Sequence, residues 1–195
     1  MKTRFKAILI VLLFTVTIPS LAQTYTVDAG HSSFQSKVIR FGVVPVVGRF
    51  NDVSGVVIFD ETDLSKTKAT ITIKTESYEA NNDAGEDAVK SAAFLNAAAF
   101  PVIRFELTSL TGDKDNYVAR GTLEIHGVKK EIECPVSILG PSIDLPTKKQ
   151  SVGIIGNLAV DRTEFDVGRE MKLPNGMVII DNTVMINFVI LGIAE

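Results

Sequence analysis

In run after run between Tyr25 and Ile190 apolar side chains return at every second position, and that period leaves this chain little choice of fold. Ala69, Ile71 and Ile73 alternate with Thr70, Thr72 and Lys74 in the cleanest such run. Ile103, Phe105 and Leu107 alternate with Arg104 and Glu106, while Ile132, Cys134, Val136 and Ile138 form another stripe. Val184, Ile186, Phe188 and Ile190 complete the series. Successive side chains of a strand point to opposite faces, so each run reads as a half-buried strand. Asp28-Ala29-Gly30-His31, Gly112-Asp113-Lys114-Asp115-Asn116 and His126-Gly127 carry the residues that tight turns need. About eight strands joined mostly by short turns, with no βαβ rhythm, favour an antiparallel barrel or sandwich. Several strands run eight residues or more, about 26 Å at ~3.3 Å each, which favours the barrel.

Local detail sharpens the expectation. Val46 to Phe59 reads as one long strand, with Gly48 and Gly55 as its bulges or bends. Residues 139–150 hold Gly140, Pro141 and Pro146 and read as an irregular loop. The one interruption of the β pattern is a helical insert at about 86–99, opened by the acidic run from Asn81 to Asp87. Its second half, Ser91 to Phe100, gathers good helix formers, and Pro101 stops any helix there. Phe94 and Leu95 are expected to turn inward, making the insert a cover over one end of the barrel.

Lys2, Arg4 and Lys6 precede an apolar run from Ala7 to Ile18, and Pro19-Ser20-Leu21-Ala22 follows it. That is the pattern of a signal peptide over 1–22, and the run is too short for a transmembrane span. The expectation is a periplasmic or secreted protein whose single domain covers 23–195. The formal charge of −3 becomes −6 once the three basic residues of that segment are removed. Such a chain has no electrostatic basis for binding nucleic acid, which draws its affinity from Lys and Arg on phosphates. Cys134 is the single cysteine, so no internal disulfide can form, and its place in an apolar stripe assigns it to the core.

Motifs that carry chemistry are scarce. His31 and His126 are the only histidines, both at turns, and no spacing of metal ligands, phosphate loop or nucleophile elbow appears. No cofactor is expected. Asp161-Arg162-Thr163-Glu164-Phe165 is the densest polar cluster beside apolar strand. It reads as a strand-end ion pair with a turn, or as a polar gate at a barrel mouth. Were the chain a lipid-processing enzyme, His31, Asp28 and Arg162 would be its candidate reactive groups.

Tyr25-Thr26-Val27-Asp28 with His31-Ser32 is followed by Val47-Gly48-Arg49-Phe50 and Val53-Ser54-Gly55. Ala93-Phe94-Leu95-Asn96, Phe100-Pro101-Val102-Ile103-Arg104-Phe105 and the run from Gly121 to Lys130 come next, and Asp161 to Phe165 ends the series. In that order these segments carry a resemblance to the YceI-like family over 25–191. It implies a lipocalin-like barrel with a lengthwise apolar channel for polyisoprenoids, isoprenoid quinones or related long-chain lipids, and no catalysis. The chain departs from the family pattern where Trp commonly replaces Tyr25 and where Phe-Gly replaces Phe165-Asp166. Glu86-Asp87-Ala88-Val89-Lys90 also stands where the family commonly has Arg-Asp-x-His-Leu.

The resulting expectation is an exported carrier of a long isoprenoid lipid. Phe34, Val38, Phe50, Ile71 and Ile73 are expected to line its channel from the first half of the chain, with Phe94 and Leu95 from the insert. Ile103, Phe105, Leu123, Ile125, Val136, Leu158, Phe165, Ile186 and Phe188 supply the remainder. Transient contact with a membrane and a homodimer are compatible with that role. A fatty-acid-type lipid binder and a solidly packed exported stress or interaction module are the rivals.

Overall fold

The structure, a computed structural model, describes residues 22–114 and 116–195. The segment read as a signal peptide lies outside the described residues, apart from Ala22. The first strands are β1 (Gln23–Val27), β2 (Ser33–Arg40), β3 (Val44–Phe50) and β4 (Val53–Phe59). After β5 (Lys68–Lys74) and β6 (Tyr78–Ala80) comes the helix α1 (Asp83–Lys90). The long strands β7 (Val102–Asp113), β8 (Asn116–Ile125), β9 (Val128–Ile143), β10 (Gln150–Asp161) and β11 (Ile180–Ala194) follow.

All pairings are antiparallel, and the ring closes in the order β1-β4-β5-β7-β8-β9-β10-β11, with β11 returning to β1. β1 lies beside Gly192 to Ala194 of β11, while β2 lies beside the earlier part, Ile180 to Val189. The two are halves of one interrupted strand. Ser32 stitches the break, accepting from the Leu191 N–H at 3.1 Å and donating to the Asp28 carbonyl at 2.7 Å. β3 with β4, and β5 with β6, are likewise halves of single strands, since β3 pairs β2 and β6 while β4 pairs β1 and β5. Eight bent strands in up-and-down order make a closed barrel, whose ring is complete except beside β6, which has a strand partner on one side only.

The expectation of glycine bends inside 46–59 is corrected. The bend falls at Asn51-Asp52, where Lys74 N–H donates to the Asp52 carbonyl at 2.9 Å. Gly48 and Gly55 serve close approach instead. A Cβ at residue 48 would overlap the Tyr78 hydroxyl, and one at residue 55 would overlap the Thr70 carbonyl oxygen. Residues 139–150 are also more regular than expected. β9 runs through Gly140 and Pro141 to Ile143, with a register shift opposite Ser151 and Gly153 that absorbs the proline.

The helix is Asp83–Lys90, not 86–99. Asn82 caps it by accepting from the Gly85 N–H at 3.0 Å, and Asp83 and Glu86 suit its first turn. The alanine-rich residues beyond Ser91 form tight turns, because Leu95 and Ala97 donate back to the Val89 and Lys90 carbonyls at 2.9 Å each. Folding back buries Leu95 and Ala97 in the core, which a straight helix continuing to Ala99 would not do.

Cys134 lies buried on the inner face of β9, its Sγ donating to the Asn157 carbonyl at 3.4 Å. Burial pushes its thiol up to about 11, which leaves little thiolate near neutrality. Iodoacetamide at pH 8 is expected to spare the native protein and to label it fully in denaturant. Rapid labelling of the native protein would contradict this placement.

Candidate functional site

Inside the barrel is a cavity of about 680 Å³. The interior is therefore hollow, as a solidly packed module would not be. Its wall follows from strand parity: on β11 the inward residues run from Ile180 and Val184 to Phe188 and Ile190. Ten residues along a strand span about 33 Å, or roughly 25 Å along the axis of a barrel whose strands tilt ~40°. The cavity is thus elongated. Phe34 and Phe188 stack on one another across β2 and β11 with ring centroids 5.4 Å apart.

One end is closed. There the wall is made by Val57, Phe59, Leu110, Val152 and Ile190, all buried, with the buried Thr67 as the polar member. Tyr25 lies beneath at 2% exposure, and Phe59 meets Tyr117 edge-on at 6.5 Å. The other end is open, since the residues that line it there, Arg40, Val44, Asn82, Ala84 and Ala88, are exposed.

At this open end the helical insert does something other than cover the barrel. β6 pairs only with β3, so the wall would gape between β6 and β7. α1 packs along β6 and fills that gap, and the Ala80 N–H donates to Glu86 at 2.7 Å. Ala84, Gly85, Ala88 and Val89 line the cavity from α1, with Phe94 and Leu95 from the turns that follow. The insert is a side wall beside the mouth.

All the residues expected to line a channel, from Phe34 to Phe188, lie on this cavity wall. Several others there went unpredicted: Leu110, Ala119, Val152 and Ile190 near the floor, and Tyr78 near the mouth. Ala119, Val152 and Ile190 continue the same period-2 stripes, whereas Leu110 turns inward only because the register shifts between Leu107 and Ser109. Tyr78 sits on a strand of three residues too short to show a period, and its one signal was Gly48 on the neighbouring β3, diagonal to it, which makes room for the phenol. The Tyr78 hydroxyl shares a hydrogen bond with Ser36, and burial raises its pKa.

The enzyme candidates are not brought together. Asp28 and His31 pair at 2.9 Å outside the cavity wall, beside Leu191 of β11, while Arg162 bonds to Ile180 and Asp181. About ten residues of β11, roughly 33 Å, separate them. Among the described residues no group of three or more His, Cys, Asp or Glu could hold a metal ion.

Arg162 makes no ion pair with Asp161, whose carboxylate instead caps the turn by accepting from the Thr163 N–H at 2.9 Å. The buried guanidinium donates to the carbonyls of Val167 at 2.8 Å, Asp181 at 3.0 Å and Ile180 at 3.2 Å, and to Asn182 at 3.1 Å. Burial works against its charge, and this cage of oxygens offsets that cost. Its first role is to tie the 166–179 segment to β11.

The model of the YceI-like domain matches residues 25–191. The chain belongs to the YceI-like family. A UPF0312 protein of Shewanella denitrificans is 30% identical to it over 154 residues, 77% of this chain and 80% of that one. Another, of Vibrio vulnificus, is 27% identical over 159 residues, 80% of this chain and 84% of that one. Among solved structures, BcnA of Burkholderia cenocepacia superposes with a TM-score of 0.74 at 22% identity, over 85% of this chain and 98% of its own. A polyisoprenoid binding domain from Saccharophagus degradans does so with a TM-score of 0.67 at 17% identity, over 89% and 99%. At those identities the two structures speak for the fold.

One departure of this YceI-like chain from the family pattern has a structural consequence. Asp166 stands at the place of the glycine in the Phe-Gly pair that the resemblance implies, and its φ of 55° is left-handed. Aspartate tolerates that region at a cost glycine avoids. Asp166→Gly is expected to raise stability by about 0.5–1 kcal/mol in urea unfolding. A loss of stability would mean that the Asp166 side chain makes a contact that matters more than its backbone.

Proposed function

We propose that this YceI-like protein is exported and holds one long-chain isoprenoid lipid, a polyisoprenoid or an isoprenoid quinone, in its barrel. It transports, stores or sequesters that lipid and performs no catalysis on it. The observation that carries this reading is the elongated apolar cavity, open at one end only. Its volume lies within the usual range of ligand pockets. Each five-carbon unit leaving water contributes about 4 kcal/mol at ~0.8 kcal/mol per carbon, so an apolar wall alone supplies the affinity. The polyisoprenoid binding domain among the structural neighbours supports the same ligand class.

Mass spectrometry of an organic extract, from protein purified out of its native host, tests this. One stoichiometric prenyl lipid per chain is expected. A fatty-acid-type ligand would replace the isoprenoid, and no stoichiometric long-chain lipid would overturn the reading. For export, the basic and apolar run before Gln23 supports a cleaved leader. N-terminal sequencing of the cell-envelope or secreted fraction should begin at Gln23, and a cytoplasmic chain that keeps residues 1–22 would refute it.

A further inference from the structure

Beside the mouth, two loops form a single ledge. The Phe41 N–H at the β2–β3 turn donates to the Ile179 carbonyl at 2.9 Å, and Ile179 N–H donates to Met171 at 2.9 Å. Lys172 bridges Val178, and the Leu173 N–H donates to Met177 at 2.8 Å. The backbone of the ledge is therefore satisfied internally, yet its side chains are apolar and face solvent. Val43 is 80% exposed and Val44 47%, with Met171, Leu173 and Met177 between 36% and 45%. Unbranched methionines and aliphatic tips gathered on one surface mark a contact site.

Three features specify what the ledge meets. Val44 and Arg40 belong both to the ledge and to the cavity wall, so the apolar surface runs without a break from outside to inside. The charge near the mouth is divided: Arg40, Arg169 and Lys172 stand on the ledge with Glu170 paired to Lys172, a surplus of two positive charges, while Asp83, Glu86 and Asp87 against Lys90 leave α1 with a surplus of two negative charges. Without the first 22 residues the chain carries −6 overall, so a negative surface would repel most of the protein and draw in the ledge. Arg40 also lies over the Phe41 ring at 4.2 Å, which places a cation directly above an apolar group, as at a lipid headgroup boundary.

We infer that the ledge formed by residues 40–44 and 169–179 docks on the headgroup region of an anionic phospholipid bilayer and sets the cavity mouth against it. The inference rests on the lipid-holding role proposed above, and it supplies that role with a route. A long prenyl chain then passes between membrane and barrel along Val44 without exposing its apolar units to water. Arg40 and Arg169 provide the orientation, each contributing about a fivefold gain in partition to an anionic surface, while Glu170 offsets the charge of Lys172. The acidic α1 side stays away from the headgroups.

The closed end makes a natural control. Leu145 is 73% exposed there, on the β9–β10 connection, far from the mouth. The chain contains no tryptophan, so a single introduced one reports its own surroundings. Val43→Trp and Leu145→Trp proteins would be mixed with vesicles of phosphatidylcholine and phosphatidylglycerol that contain no isoprenoid. A blue shift of the residue-43 fluorescence and its quenching by brominated acyl chains are expected, with residue 145 unchanged. Arg169→Gln should weaken partition about fivefold, and 0.5 M salt should weaken it further. Val43→Asp should abolish docking while the protein purified from its host still carries lipid. No response at residue 43, or a response at residue 145 in its place, overturns the inference. Lipid in the host extract without docking leaves the proposed function standing, whereas docking without lipid in that extract removes the proposed function and keeps the membrane contact.

Discussion

Arg162→Ala is expected to lower the free energy of unfolding by about 3–5 kcal/mol, the largest effect of any single truncation outside the apolar core. The substitution strips donors from the Val167, Asp181 and Ile180 carbonyls, all of which the guanidinium reaches within 3.2 Å. Hydrogen bonds to a charged group contribute ~1.5–3 kcal/mol each, and a buried acceptor left unpaired costs its desolvation as well. Two such bonds without replacement by water account for the figure. Arg162→Lys should recover little of it, because a single ammonium cannot reproduce the planar fork that meets several oxygens at once. Urea unfolding followed by circular dichroism measures both variants. Amide exchange at Val167 and Ile179 should quicken in both, since Arg162 ties this segment to β11. A loss under 1 kcal/mol would show that the backbone bonds of the segment suffice without the guanidinium.

Blocking the cavity floor should shift ligand length before it affects folding. Ala119 lies on the wall near the closed end, beside Leu110 and opposite Cys134 on β9. Ala119→Phe places a ring where the last isoprenoid unit of a bound chain would lie. Excluding one unit costs about 4 kcal/mol, roughly a thousandfold in affinity for a ligand that fills the cavity. A ligand one unit shorter should bind nearly as before, which separates lost volume from general damage. Because the ring enters a void, stability should change by less than ~1.5 kcal/mol, short of the usual penalty for overpacking a filled core. Competition between prenyl alcohols of graded length, read by displacement of a fluorescent lipid, gives the answer. Unchanged binding at every length would mean that the chain does not reach the floor, and equal weakening at every length would mean general damage.

Much of this was legible before any coordinates. Parity along a strand is a local property, so Ile71, Ile103, Leu123 and Ile186 could be assigned to one interior from the period alone. Phe94 and Leu95 followed from their apolar character next to a stop at Pro101. What the pattern hid were the breaks in the strands. At Asn51-Asp52 the inward parity passes from Phe50 to Val53, and nothing local marks that shift as a hinge, because the hinge arises from pairing with two different neighbours, β2 before it and β1 after it. The helix was displaced for a similar reason: Ala92 to Ala99 has the composition of a helix, yet burying Leu95 and Ala97 outweighed intrinsic propensity. Asp28, His31 and Arg162 looked like a cluster only because sequence places no distance between them.

By itself, then, the sequence determined the class of fold, the family and which face of each strand turns inward, all of which follow from residue identity and a two-residue period. Tertiary structure decided that the barrel is hollow, that it is closed beside Tyr25 and open beside α1, and that a ledge of exposed apolar residues borders the opening. Those properties depend on how eight bent strands stagger around a ring and on which gap the insert fills. No local stretch encodes such distances, because they are set only when strands far apart in the chain are paired.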